Sequence, residues 1–178
     1  FRFDFISCGE SDGNYNEIEL PHRKTKNSAG YDFISFLDEV IAPGEIKKIP
    51  TGIKVCMNED EYLAIYVRSS MGFKYNVRLC NQVGIIDSDY YNNSDNEGHI
   101  WVSLQNEGDK DYIIKKGDAF AQGVFTKFLI TEEDEASGDR TGGFGSTNRS
   151  DENGMVCRFC ESFIWRNRKS YWYSNTSN

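Results

Sequence analysis

Short β-favouring runs, separated every 8–12 residues or so by clusters of Gly, Asn and Asp, set the texture of this chain. No stretch sustains a 3.6-residue apolar period over three turns. Many short strands with frequent turn signals point to a sandwich or barrel, so the fold class read from the sequence is all-β. Strands are predicted near residues 3–7, 31–36, 45–49, 53–57, 62–67, 77–80, 83–86, 99–105, 112–114 and 119–128. One helix of about two turns is predicted over 69–75.

With 178 residues, 38% of them hydrophobic, the chain suits one ordinary domain plus a tail. No apolar run approaches the roughly 18 residues of a membrane helix. The acidic start, FRFDFISCGESDG, predicts no secretory signal. Five cysteines at irregular spacing argue against a disulfide framework and for a reducing, cytoplasmic setting. The net charge of −8 argues against nucleic acid or an anionic membrane as partner, since both need a basic surface. A phosphate ligand would have to be held locally, by a few arginines, backbone N–H groups or a bound cation.

Five islands carry the chemistry, in order along the chain. Ser28-Ala29-Gly30-Tyr31-Asp32 sets a carboxylate at a strand start, and Arg68-Ser69-Ser70-Met71-Gly72 joins a cation and two hydroxyls to a helix start. Asn81 to Tyr91, NQVGIIDSDYY, runs from an apolar strand into an acidic turn flanked by two tyrosines. In it, Gly84 suggests a bulge or a close backbone approach. Gly117-Asp118-Ala119-Phe120-Ala121-Gln122 puts an amide on a strand after a tight turn. Arg140-Thr141-Gly142-Gly143-Phe144-Gly145-Ser146-Thr147 combines a cation, a pliable backbone, one ring and two hydroxyls. Each island alone also has an ordinary structural reading: a turn, a surface ion pair, a hairpin or a linker.

In this order and spacing, AGYD, RSSMG, NQVGIIDSDYY, GDAFAQ and RTGGFGST resemble the five motifs of the trimeric dUTPases, over roughly 20–147. The form RSSMGFKYN and the long loop DSDYYNNSDNEGHI look most like dUTPases of Gram-positive bacteria and their phages. The resemblance implies a distorted β jelly roll, or β-clip, over 1–130. It implies a homotrimer with active sites shared between subunits, and over 131–149 an acidic linker and a flexible, glycine-rich C-terminal arm. The implied reaction is hydrolysis of dUTP to dUMP and pyrophosphate with Mg²⁺, which lowers dUTP and supplies dUMP for dTMP synthesis. The implied location is the cytoplasm, that of the host if the chain is phage-encoded.

The resemblance also implies roles. Asp87 would activate the water that attacks the α-phosphorus, and Asp89 would hold the turn. Tyr90 would pack on the deoxyribose and exclude a 2′-hydroxyl. Asn81, with backbone at Gly84 and Ile86, would read uracil. Arg68, Ser69, Ser70 and Gln122 would hold phosphates, with Asp32 supporting the site and no protein side chain ligating Mg²⁺ directly. Arriving from another subunit, Arg140 would meet the γ-phosphate, Phe144 would stack on the base, and Gly145, Ser146 and Thr147 would close over the nucleotide.

Three features depart from that pattern. Asn148 stands where glycine is common, and Ala119 where a basic residue is frequent. Residues 150–178 form an aromatic tail with a Cys157-x-x-Cys160 pair, half of a zinc site at best. The alternatives left open are a dCTP deaminase-type enzyme of the same superfamily, and a regulatory protein binding a partner through the tail or through the loop YNNSDNEG.

Overall fold

The computed structural model describes residues 1–6, 17–138, 140 and 142. Eleven strands and one short helix follow in chain order: β1 (Arg2–Phe5), β2 (Tyr31–Ile34), β3 (Glu39–Ile41), β4 (Ile46–Pro50), β5 (Ile53–Cys56), β6 (Glu61–Tyr66), α1 (Ser69–Tyr75), β7 (Val77–Leu79), β8 (Gly84–Asp87), β9 (Trp101–Asn106), β10 (Tyr112–Ile114) and β11 (Ala119–Lys127). A 3₁₀ turn over Ser88–Tyr90 follows β8 directly. Among the described residues every strand pairing is antiparallel. No described helix is long and apolar enough to cross a membrane.

A four-stranded sheet in the order β2-β11-β6-β8 is the frame for the site residues. A three-stranded sheet, β4-β9-β7, and two ribbons, β1-β5 and β10-β3, complete the set. Alternation builds these layers: Val102, Leu104 and Asn106 of β9 turn inward while Trp101 faces out. Phe33, Leu63, Ile65, Ile86 and Phe120 belong to one apolar core with Ile49, Val77 and Leu104. Burying a side chain of this size contributes roughly 1.5–3 kcal/mol.

All ten predicted strands are present, and the helix occupies its predicted span. The eleventh, β3, has only Ile41 buried and exists through pairing with β10, some seventy residues on. Several ends move for local reasons. The strand predicted to 36 stops at Ile34, where Ser35 Oγ donates to the Leu37 carbonyl (2.7 Å) and accepts from the Leu37 N–H (3.3 Å). The strand predicted from 83 begins at Gly84, because Gln82 takes a left-handed φ of 61° within the turn. Gly84 marks no bulge; a Cβ there would lie 3.3 Å from Ile65 Cβ, so the glycine lets β8 pack closely against β6. The bulge lies between Ala119 and Ala121, against β2.

His99 is a buried polar residue of this core. Its Nε2 accepts the Gly52 N–H at 3.0 Å, and burial lowers its pKa from 6.5 to about 4. The folded state therefore resists a proton that the unfolded chain accepts. Stability from this group is intact above pH 6.5 and drains away as the pH falls toward 4, by about 3 kcal/mol in all. Urea unfolding across that window should show this decline, and His99→Gln should flatten it; an unchanged slope would mean that His99 is not the group responsible.

Candidate active site

Asp87 is the last residue of β8, opposite Tyr62 of β6. Its side chain is half exposed, and Arg140 reaches it with Nη2 at 2.6 Å. The same guanidinium places Nε 2.6 Å from Asp89 Oδ1 and stands 5.8 Å from the centre of the Tyr90 ring. Burial raises the Asp87 pKa above the ordinary aspartate value of 3.8, against the lowering effect of Arg140 and with a smaller push from Asp89. A carboxylate tuned upward and still open to water is suited to taking a proton from a water molecule. The pairing of Arg140 is with carboxylates of its own chain.

The residues expected to hold phosphates do converge. Arg68, Ser69, Ser70, Asp32 and Gln122 line one cleft of about 320 Å³, together with Lys24, Ser28 and Gly30. Asp32 is nearly buried and lies 3.3 Å from Arg68 Nε, so it orients the guanidinium. Gln122 pairs with Asp32 across β11 and β2 and donates through Nε2 to the Val67 carbonyl at 3.2 Å. Its side chain lies over Gly30, where a Cβ would come within 2.5 Å of Gln122 Oε1. Only a residue without a side chain leaves the amide in this position.

Asn81, Gly84 and Ile86 line a second, larger groove of about 600 Å³, whose walls include Cys80, Asn96 and Trp101. Tyr90 is 4% exposed and part of the core cluster. Its hydroxyl donates to the His99 carbonyl at 3.0 Å and accepts from Asn96 Nδ2 at 2.8 Å. Sequence reasoning missed Lys24, within the basic run HRKTK beside the first island, and Asn96, inside a loop that reads only as polar.

The clusters are separated on this chain. Gln122 lies opposite Tyr66 and Asp87 opposite Tyr62, four residues apart on β6 and so on one face of the sheet. Four strand steps and two strand spacings put their backbones roughly 16 Å apart. Among the described residues no three His, Cys, Asp or Glu side chains gather as a metal-binding set. Cys56 and Cys80 are free thiols. Phe144, Gly145, Ser146 and Thr147, the arm beyond Gly142, and the tail with Cys157 and Cys160 lie outside the described residues.

Comparison with known proteins bears on the family and the fold. The dUTPase family model matches residues 16–148. A deoxyuridine 5′-triphosphate nucleotidohydrolase of Lactococcus lactis is 49% identical over 132 residues, covering 73% of this chain and 88% of the relative. The same-named protein of Photorhabdus laumondii is 38% identical over 141 residues, covering 75% and 89%. The crystal structure of dUTPase from Streptococcus mutans superimposes with a TM-score of 0.64 at 38% identity, over 73% of this chain and 98% of that one. A dUTPase from phage phi11 of Staphylococcus aureus shares the fold, with a TM-score of 0.60 at 20% identity over 77% and 96%. A variant of that phage protein coordinates a structural Mg(II) ion.

The causes of the Asp87 shift can be separated by titrating its carboxyl carbon by NMR. The midpoint should lie above 3.8, fall in Asp89→Asn and rise in Arg140→Gln. A rise in Asp89→Asn would contradict the electrostatic account.

Proposed function

The chain belongs to the dUTPase family and hydrolyses dUTP to dUMP and pyrophosphate; we propose that it does so with Asp87 as the general base, in sites shared between the subunits of a homotrimer. The observation that carries the catalytic assignment is Asp87 itself: a half-exposed carboxylate at a strand end, its basicity raised by burial, three residues ahead of an anchored tyrosine.

Asp87 orients a water molecule and takes its proton as the oxygen attacks the α-phosphorus, with pyrophosphate as the leaving group. Asn81 and the backbone at Gly84 and Ile86 receive the uracil edge in the larger groove. Tyr90 lies against the deoxyribose. Arg68, Ser69, Ser70 and Gln122 hold phosphate oxygens, and Asp32 keeps Arg68 aimed. Arg140 is assigned to the γ-phosphate, so substrate exchanges one anion for another on the guanidinium. That exchange frees Asp87 for its water. Phe144, Gly145, Ser146 and Thr147 complete the cover over the nucleotide.

Mg²⁺ fits this donor set as an ion held by the substrate's phosphates and by water, since a caged site would need several converging side chains. When bound it neutralises charge on the triphosphate. The roughly 16 Å between Asp87 and the phosphate cleft supports the shared site. One chain sets its general base far from its own phosphate ligands, and a neighbour's cleft can stand where its own does not. The reaction belongs in the cytoplasm, where dUTP arises. The arm over 131–149 is assigned to site closure.

Pyrophosphate release with Mg²⁺ should favour dUTP over dCTP, dTTP and UTP by orders of magnitude. Asp87→Asn should cut turnover by about 10²–10⁴-fold while a non-hydrolysable dUTP analogue still binds within a few-fold. Equal turnover of the four nucleotides would sink the substrate assignment, and normal turnover in the variant would sink that of the base. Sharing has its own test: Asp87→Asn and Arg68→Ala protein, unfolded together and refolded, should be more active than either variant alone. No recovery would place the whole site on one chain.

A further inference from the structure

Residues 91–98 leave the 3₁₀ turn and come back to it. Gly98 takes a φ of +84°, and a Cβ there would lie 2.7 Å from the Tyr90 carbonyl oxygen. The loop therefore closes on the residue it departs from. Its two inward asparagines are spent on that closure. Asn93 Nδ2 donates to the Tyr90 carbonyl (2.8 Å), while its Oδ1 accepts the N–H groups of Asp95 and Asn96 (3.0 and 3.1 Å). Asn96 Oδ1 accepts from the Gly98 N–H (3.0 Å) and from Asn93 Nδ2 (2.8 Å). Those two donors fix the orientation of the amide, and its Nδ2 then points at the Tyr90 hydroxyl oxygen, 2.8 Å away.

From outside, the loop is pinned to the β1-β5 ribbon. Lys54 Nζ donates to Asn92 Oδ1, and the Tyr91 hydroxyl donates to Asp4 Oδ2, each at 2.7 Å. A loop anchored at both faces can transmit rigidity to whatever it holds.

We infer that Asn96 is a positioning residue for sugar selectivity: by donating to the Tyr90 hydroxyl, it fixes the ring in the pose that leaves no room for a 2′-hydroxyl. The inference rests on the reading of Tyr90 as the residue that meets the deoxyribose. A ring hinged only at its Cβ can swing by the few tenths of an ångström that a ribose oxygen needs. A ring tied at its far end by Asn96 and by the His99 carbonyl cannot. Discrimination between dUTP and UTP then depends on a residue six positions away, in a loop whose sequence reads as a solvated turn.

Asn96→Ser removes the N–H aimed at Tyr90 and, unlike Asn96→Asp, leaves no carboxylate oxygen there to accept from the Tyr90 hydroxyl in its place. The ratio of kcat/KM for dUTP to that for UTP should fall roughly tenfold, mostly through faster UTP turnover. In a Tyr90→Phe background, which has no hydroxyl to hold, the same substitution should change the ratio less than twofold. An equal fall in both backgrounds would overturn the inference, because Asn96 would then act on the nucleotide directly from the groove it lines. No fall in the native background, where Tyr90→Ala does lower the ratio, would overturn it as well. If Tyr90→Ala itself leaves the ratio unchanged, the reading of Tyr90 fails and the inference with it. Should Asn96→Ser not fold, Asn96→Thr removes the same donor while keeping a larger polar side chain, and the same comparison decides.

Discussion

The register of β6 against its two neighbours governs the placement of everything else. Through it, Tyr62 faces Asp87, Ile65 faces Gly84, and Tyr66 faces Gln122, which in turn faces Asp32. A slip of one residue would send Asp87 into the core and Ile86 into water. Leu63 and Ile65 are nearly inaccessible, and their apolar contacts hold the register against such a slip. The close packing of Gly84 on Ile65 adds a steric lock at the same rung. The placement of Asp87 and Gln122 is thus a by-product of backbone pairing and core burial.

A second theme is how an acidic chain of net charge −8 prepares for a polyanion. Its two key arginines are not waiting bare. Arg68 leans on Asp32 and Arg140 spans Asp87 and Asp89. Each guanidinium is already held by carboxylates in this chain. That pairing keeps the protein from collecting stray polyanions, whose binding depends on unneutralised basic surface.

Much of this was legible from residues alone. The β8 run and its acidic end, the helix at Ser69, and the cleft-lining Arg68, Ser69, Ser70 and Gln122 all follow from local pattern and motif order. What escaped depends on distant partners. β3 is three residues that only β10 makes into a strand. Asn96 shows its purpose only once Gly98 adopts a positive φ and brings the loop back under Tyr90. Lys24 enters the cleft because of how the chain folds before β2, and nothing in its neighbours' identity announces that. The burial of Tyr90 and the two hydrogen bonds of its hydroxyl likewise depend on His99 and Asn96, which its neighbours in the acidic turn do not announce.

The distance between the two ends of β6 carries a lesson about how such a protein can change over time. No point substitution brings Asp87 next to Gln122, since both positions are set by strand register and not by side-chain choice. On the shared-site proposal, a self-sufficient single polypeptide would have to arise by copying and joining the gene, with linkers long enough for one repeat's carboxylate to reach another repeat's cleft. Once joined, each repeat could lose the half it no longer needs. The sheet that makes the subunit sturdy is thus also what would make independence reachable only by duplication.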